Sequence, residues 1–290
     1  MNLFDQLVSQ AMKNHGELSP LKAVVEKELL HHDILREMSE AGLLEGLTFI
    51  GGTCLRSCYG SHRLSEDLDF TGGHNFKRTM LSNLSNLLIS RLYKKYGLHI
   101  TIGEPIKETG NVDTWKLKIT TRPEQKNLPL QRINIDICAV PSYDSRPVLL
   151  RNHYNIDMGT SGLIVRAQSR QEILADKFVA LALRPNRIKN RDLWDISWLK
   201  QHNIDVPVDL VAKKIRDHKY DIEKFIALLN DRKQSLVKNP DANSNFIWEM
   251  KRFLPPKLIS TTIENSAFWQ YLTDLIYTEC DQIAHKLTRI

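Results

Sequence analysis

Asp67 and Asp69 stand two residues apart in the stretch Glu66-Asp67-Leu68-Asp69-Phe70. In an extended strand that spacing puts both carboxylates on one face and Leu68 and Phe70 on the other. Two adjacent carboxylates repel unless a cation lies between them, and an oxygen-only donor pair suits Mg²⁺. A chain of this size holds about one such pair by chance, so the motif in isolation reads more simply as a solvated strand edge. Its neighbourhood shifts that balance. Leu47-Thr48-Phe49-Ile50-Gly51-Gly52 is a short apolar run ending in two glycines, as expected of a buried strand that feeds a strand-to-helix turn. Backbone N–H groups at such a turn can cradle phosphates, although paired glycines also serve tight turns that need positive φ. Thr53 fits an N-cap, whose hydroxyl could also meet a phosphate. Arg56 and Arg63 fall between the turn and the acids, where a polyphosphate would want them and where ordinary surface residues would need no explanation.

A third acid lies in Ile133-Asn134-Ile135-Asp136-Ile137. The isoleucines share one face and Asp136 takes the other, either at an exposed edge or aimed at a partner. The second reading is favoured, because ionised carboxylates are rarely buried alone. Lys177 presents a local contradiction: it shares a helical stripe with Ile173 and Leu181, which should face a core. Its stem either snorkels to water or carries an ammonium toward phosphates. In Arg191-Asp192-Leu193-Trp194-Asp195, Arg191 can pair with Asp195 across one turn, or Asp192 and Asp195 can form an acidic edge.

The elements that must hold these residues change character along the chain. The first half alternates helical and strand patterns: a helix from Leu21 to Leu44, a helix through the stripe Phe76, Met80, Leu84, Leu88 and Leu92, then strands in Leu98–Gly103, Trp115–Thr120 and Ile133–Val140. Residues 122–129 read as turn, and the chain after Pro141 as irregular. Ser169 with Glu172 forms the capping-box pattern that opens the Lys177 helix, and helices follow from there. This is an α+β unit over residues 1–160 and a helical unit over 161–290.

The chain has 290 residues and a formal charge of +6, which mildly favours polyanionic partners. Arg184, Arg187, Lys189 and Arg191 form one basic group; Lys213, Lys214, Arg216 and Lys219 form another. Four scattered cysteines support neither a disulfide framework nor a zinc site. No apolar run is long enough to span a bilayer, and Asp5 and Gln6 interrupt any leader-like segment. The expected location is the cytoplasm.

Taken together and in this order, Gly51-Gly52-Thr53, Asp67-Leu68-Asp69, Asp136, Lys177 and Asp192 resemble the nucleotidyltransferases of the DNA polymerase β superfamily, and more narrowly the AbiEii family of toxins. The resemblance covers about residues 47–200. It departs at Cys54, where a small residue such as Ala is usual, and the last ninety or so residues carry no matched motif. It implies a polymerase-β-like domain with a mixed sheet followed by a helical C-terminal domain. It implies two Mg²⁺ ions on Asp67, Asp69 and Asp136, and a nucleoside triphosphate on Gly51, Gly52 and Thr53 with Arg56, Arg63 and Lys177 nearby. Asp192 becomes an auxiliary residue that positions Lys177 or helps deprotonate the acceptor. The reaction implied is transfer of a nucleotide to RNA, foremost the tRNA 3′ acceptor end, which blocks translation in a toxin–antitoxin or phage-defence system. A cognate antitoxin protein would restrain it. The alternatives are the same chemistry on an aminoglycoside-like molecule or a protein hydroxyl, and a non-catalytic RNA-binding or antitoxin-like protein. A metal-dependent nuclease would leave the glycine turn unexplained.

Overall fold

The computed structural model describes residues 2–106, 110–122, 124, 129–185 and 187–289. The chain divides into two compact units, Met1–Gln168 and Ser169–Ile290. The division falls past residue 160, because the strand Ile164–Gln168 pairs back into the sheet of the first unit.

The first unit is built on a seven-stranded mixed sheet of order β3-β4-β5-β2-β1-β7-β6. The strands are β1 (Thr48–Ile50), β2 (Leu68–Thr71), β3 (His99–Gly103), β4 (Val112–Thr120), β5 (Gln131–Cys138), β6 (Ser145–Leu149) and β7 (Ile164–Gln168). Two neighbouring pairs, β2–β5 and β1–β7, run parallel; the others run antiparallel. The alternation expected of β5 holds: Ile133, Ile135 and Ile137 are fully buried while Asn134 and Asp136 are half-buried on the opposite face. Leu68 and Phe70 of β2 likewise join the core. Strand β6 falls in the stretch expected to be irregular. It is an edge strand, so Pro147 is tolerated there without costing the interior of the sheet. The expected turn at residues 122–129 lies mostly outside the described residues.

Helices α1 (Leu3–Asn14), α2 (Lys22–Glu40), α3 (Gly51–Tyr59) and α4 (Leu84–Tyr96) accompany the sheet. The stripe expected from Phe76 to Leu92 is not one helix. A 3₁₀ turn at Arg78–Leu81 precedes α4, and Met80 is largely exposed. Phe76 instead packs over Gly72, where an added Cβ would lie 2.7 Å from the ring.

Within this unit α2 carries a polar row inside its buried face: Glu28, His31 and His32. Burial pushes the His32 and His153 imidazoles down to about 4 and lowers His31 as well. His32 Nδ1 sits 2.9 Å from Thr160 Oγ1, and His153 Nε2 donates to the Arg56 carbonyl at 2.8 Å. These rings are neutral in the fold at pH values where the unfolded chain, titrating near 6.5, already binds protons. The contribution of His32 and His153 is therefore full above about pH 6.5 and is lost as pH falls toward 4, each of these two rings adding a slope approaching about 1.4 kcal/mol per pH unit. Urea midpoints between pH 7.5 and 4.5 should fall accordingly, and less steeply in His32→Gln. A flat profile would contradict neutral burial.

The second unit contains α5 (Arg170–Leu183), α6 (Asn190–Gln201), α7 (Val208–Asp217), α8 (Ile222–Lys238), α9 (Ala242–Met250), a single turn α10 (Pro256–Leu258) running into a π turn (Ile259–Ile263), and α11 (Ser266–Leu287). Ser169 caps α5 as expected, its hydroxyl accepting from Glu172 N at 3.1 Å. The core is aliphatic and aromatic, with Ile173 and Phe178 of α5, Phe225 and Leu229 of α8, and Leu272 and Ile276 of α11. Lys214, one of the second basic group, is buried between Glu172 and Asp176 at 2.7 Å from each. Among the described residues no helix is long and apolar enough to cross a membrane.

Candidate active site

Strand β1 delivers the chain to α3 at Gly51, whose φ of +76° suits glycine. Any Cβ there would sit 2.8 Å from Asp69 Oδ2. The Asp69 carboxylate thus rests over the first residue of α3, whose leading N–H groups have no partner within the helix. Ile50 is the N-cap and supplies no side-chain bond, so backbone dipoles face the acid unscreened by a capping hydroxyl.

Sheet register sets the rest of the row. Ile50 pairs with Asp69 across β1–β2, and Asp69 pairs with Asp136 across β2–β5. Asp67, just before β2, turns toward β5, where its Oδ1 accepts from Asn134 N at 2.9 Å. The structure therefore brings the glycine turn and all three sequence-predicted acids to one face of the sheet. Asp67, Asp69 and Asp136 are all half-buried. Among the described residues no three His, Cys, Asp or Glu side chains stand together as a metal-holding group. The acids form a row, not a closed triad. Their chemistry still fits a hard cation: the donors are all carboxylate oxygens, and two of them are directly registered on neighbouring strands.

Thr53 and Arg56 are not placed as the sequence suggested. Thr53 is the third residue of α3, fully buried, with its hydroxyl 2.6 Å from Ser65 Oγ and within bonding reach of the Asp67 carbonyl. It fixes the backbone that carries Asp67. Arg56 is buried against Glu28, Nε to Oε2 at 3.2 Å, while its Nη1 donates to the Ser61 carbonyl at 3.0 Å. Its charge balances a core carboxylate. Arg63 is buried with Nη1 donating to the Leu64 carbonyl at 3.0 Å, and its guanidinium lies against Gly52.

Sequence reasoning missed the frame behind this loop. Glu28 Oε1 accepts from Ser65 N at 2.9 Å, its Oε2 also takes the Tyr154 hydroxyl, and burial raises its pKa less than Arg56 and these bonds lower it. Lys27 pairs with Glu66 at 2.7 Å and His31 Nε2 donates to the Glu66 carbonyl at 3.0 Å. Helix α2 thereby clamps Ser65 and Glu66, which lie between Arg63 and Asp67. The available signal was Glu28 falling on the stripe of Val24 and Leu35, the same contradiction that singled out Lys177.

A Cβ at residue 52 would overlap the Arg63 guanidinium. Gly52→Ala should therefore displace Arg63 and raise the KM for nucleotide about tenfold. The double variant with Arg63→Ala should add little to the loss in Arg63→Ala, because the two changes act on one contact. A KM within twofold of wild type for Gly52→Ala would contradict the placement.

In the second unit Lys177 is 8% exposed and does not snorkel. Its Nζ lies 2.7 Å from Asp192 Oδ1 and 2.7 Å from Asp195 Oδ2. Arg184 Nη1 binds the other Asp192 oxygen. Burial would raise the Asp192 carboxyl; Lys177 and then Arg184 outweigh it and hold the acid well below the usual carboxylate range. Asp192 and Asp195 are both buried against Lys177, and Arg191 pairs with Glu249 and stacks on Phe253.

The profile of the family described as "Nucleotidyl transferase AbiEii toxin, Type IV TA system" matches residues 33–273. Among solved structures, the chain resembles MenT4, the nucleotidyltransferase toxin Rv2826c from Mycobacterium tuberculosis H37Rv, at 13% identity and a TM-score of 0.54, with 98% of each chain covered. It also aligns with JHP933 from Helicobacter pylori at 18% identity and a TM-score of 0.47, covering 92% of this chain and 97% of that one. A comparison with functionally curated proteins gives no match. The MenT4 likeness speaks for the fold alone; the family match spans most of the chain and includes the acids, the glycine turn, Lys177 and Asp192. The chain belongs to the AbiEii family of nucleotidyl transferase toxins of type IV toxin–antitoxin systems.

Proposed function

We propose that this toxin transfers a nucleoside monophosphate from a nucleoside triphosphate to RNA, at the 3′ acceptor end of tRNA, and so blocks translation until a cognate antitoxin restrains it. The observation that carries the reading is the row Gly51–Asp69–Asp136, with Asp69 over the N-terminus of α3 and in register with Asp136. A helix start with a glycine at positive φ offers backbone N–H groups to phosphate oxygens. The Arg63 guanidinium beside Gly52 adds positive charge where the β- and γ-phosphates would lie. The acceptor hydroxyl attacks the α-phosphorus, the bond from that phosphorus to the bridging oxygen breaks, and pyrophosphate leaves; the hydroxyl proton passes to solvent.

Asp67, Asp69 and Asp136 would hold Mg²⁺. Bound there, the ion would offset charge on the α-phosphate and lower the pKa of the acceptor hydroxyl. Lys177 would contact phosphates, with Asp192 and Asp195 positioning its ammonium. The excess positive charge of +6 favours RNA over an aminoglycoside-like or protein acceptor.

The test is incubation of total tRNA with each of the four α-³²P-labelled nucleotides and Mg²⁺. Label should enter tRNA with at least one nucleotide, and tRNA oxidised with periodate, which lacks the terminal diol, should take up none. Pyrophosphate release with label on a protein or a small molecule would move the acceptor. No nucleotide turnover at all would favour a non-catalytic RNA-binding protein.

A further inference from the structure

The helical unit contains a cavity of about 480 Å³ that the proposed chemistry does not use. That volume lies within the ~300–1,000 Å³ typical of small-ligand clefts. The α5–α6 connection supplies Arg187 and Lys189, the first turn of α6 supplies Arg191, α8 supplies Arg232, and α9 supplies Trp248 and Glu249. Four cationic side chains thus face a single carboxylate. Glu249 is itself occupied, accepting from Asn190 Nδ2 at 3.0 Å and pairing with Arg191 at 3.5 Å. Arg232 is held in place by donating to the Arg184 carbonyl at 2.6 Å. The N-terminus of α6 opens here too, with Lys189 as an N-cap that gives no side-chain bond. The wall is therefore positive through side chains and backbone together.

Trp248 distinguishes this cavity from a plain anion site. Its indole is 67% exposed at the rim, although tryptophan is among the residues that gain most from burial. Arg252 stands 5.9 Å from the ring centroid. An exposed indole beside clustered cations is the combination that single-stranded nucleic acid uses: phosphates meet the cations, and a base covers the ring. Asn239 and Asn245 also line the cavity and carry amide groups that can bond base edges.

We propose that this cavity docks a single-stranded segment of the acceptor RNA, with phosphates on Arg187, Lys189 and Arg232 and an unpaired base stacked on Trp248. The choice of RNA rests on the function proposed above. The site adjoins the Lys177 cluster through one chain of contacts within this unit: Arg232 holds the Arg184 backbone, and Arg184 and Lys177 share Asp192.

The test uses the full chain carrying Asp69→Asn, so that binding is read without turnover. Binding of a fluorescein-labelled, unstructured RNA 12-mer is followed by anisotropy at several NaCl concentrations. The pair Arg187→Glu and Lys189→Glu should weaken binding at least tenfold. It should also flatten the slope of log K against log [NaCl] by about 1.4, since each phosphate contact to a single strand contributes about 0.7. Trp248→Ala should weaken binding about tenfold with the slope unchanged. Unaltered affinity and slope in these variants would overturn the proposal, as would failure of the parent to bind the RNA. So would a neutral Trp248→Ala combined with tripolyphosphate competition that depends on the two basic residues, which would leave a simple anion site. The two readings fail separately. RNA binding without any nucleotide transfer by the wild type would remove the function and leave the cavity; transfer to RNA with the cavity variants unaffected would remove the cavity alone.

Discussion

Asp69→Asn should lower pyrophosphate release in the presence of nucleotide, Mg²⁺ and RNA by about 10³-fold or more. The asparagine keeps the shape that rests over Gly51 but removes the charge that balances a cation against the α-phosphate. Its effect on folding should be small, because two opposing changes accompany it. Loss of an anion at the N-terminus of α3 costs about 0.3–1 kcal/mol, while relief of repulsion with Asp136, its partner in register, returns a similar amount. Asp136→Asn should behave alike. Near wild-type release from either variant, with the melting temperature unchanged, would contradict a metal centre on this row.

The second large effect is expected at Lys177. Lys177→Met leaves Asp192 and Asp195 buried without the ammonium that contacts both, while Arg184 stays on Asp192. Breaking a buried pair by removing one partner costs about 3–5 kcal/mol, so the urea midpoint should drop sharply. Replacing one acid as well, in Lys177→Met with Asp195→Asn, should restore most of that stability, since the remaining Asp192 carboxylate keeps Arg184 as its counter-charge. The rescued variant separates structure from chemistry. If the ammonium serves the triphosphate, its KM for nucleotide should remain at least tenfold raised while RNA affinity is unchanged. A wild-type KM in the rescued protein would assign Lys177 to the core alone.

What the sequence made legible follows from the range of the interactions involved. The face shared by Asp67, Asp69 and Asp136 could be read because strand alternation is local and Leu68 and Phe70 in β2, and Ile133, Ile135 and Ile137 in β5, mark the opposite face as apolar. Lys177 could be read because a charge on a core stripe contradicts its own helix. Arg56 could not: its partner Glu28 is 28 residues away and the Tyr154 hydroxyl that shares that carboxylate is 126 residues from Glu28. No local pattern distinguishes an arginine that meets phosphate from one that closes a buried network. Strand β6 was hidden for another reason. An edge strand with Pro147, and with Leu149 exposed, lacks the alternation that marks a half-buried strand. Thr53 shows a third limit: a threonine after two glycines suits an N-cap, but the helix already begins at Gly51 and Thr53 lies buried in its first turn.

These differences narrow the site. The frame of Glu28, Arg56, Ser65 and Thr53 holds the loop, and the proposed chemistry rests on Gly51, Gly52, Arg63 and the three acids. The basic residues after α5 separate in the same way: Arg184 belongs to the Lys177 cluster, while Arg187, Lys189 and Arg191 line a cavity of their own.

The central claim, nucleotidyl transfer to tRNA at the Asp69–Asp136 row, is tested most directly by mass spectrometry of intact tRNA after incubation with the toxin, Mg²⁺ and all four nucleoside triphosphates. The account predicts tRNA heavier by one or more whole nucleotide residues at its 3′ end, absent with Asp69→Asn. Unchanged tRNA masses from wild-type protein that releases pyrophosphate would contradict it.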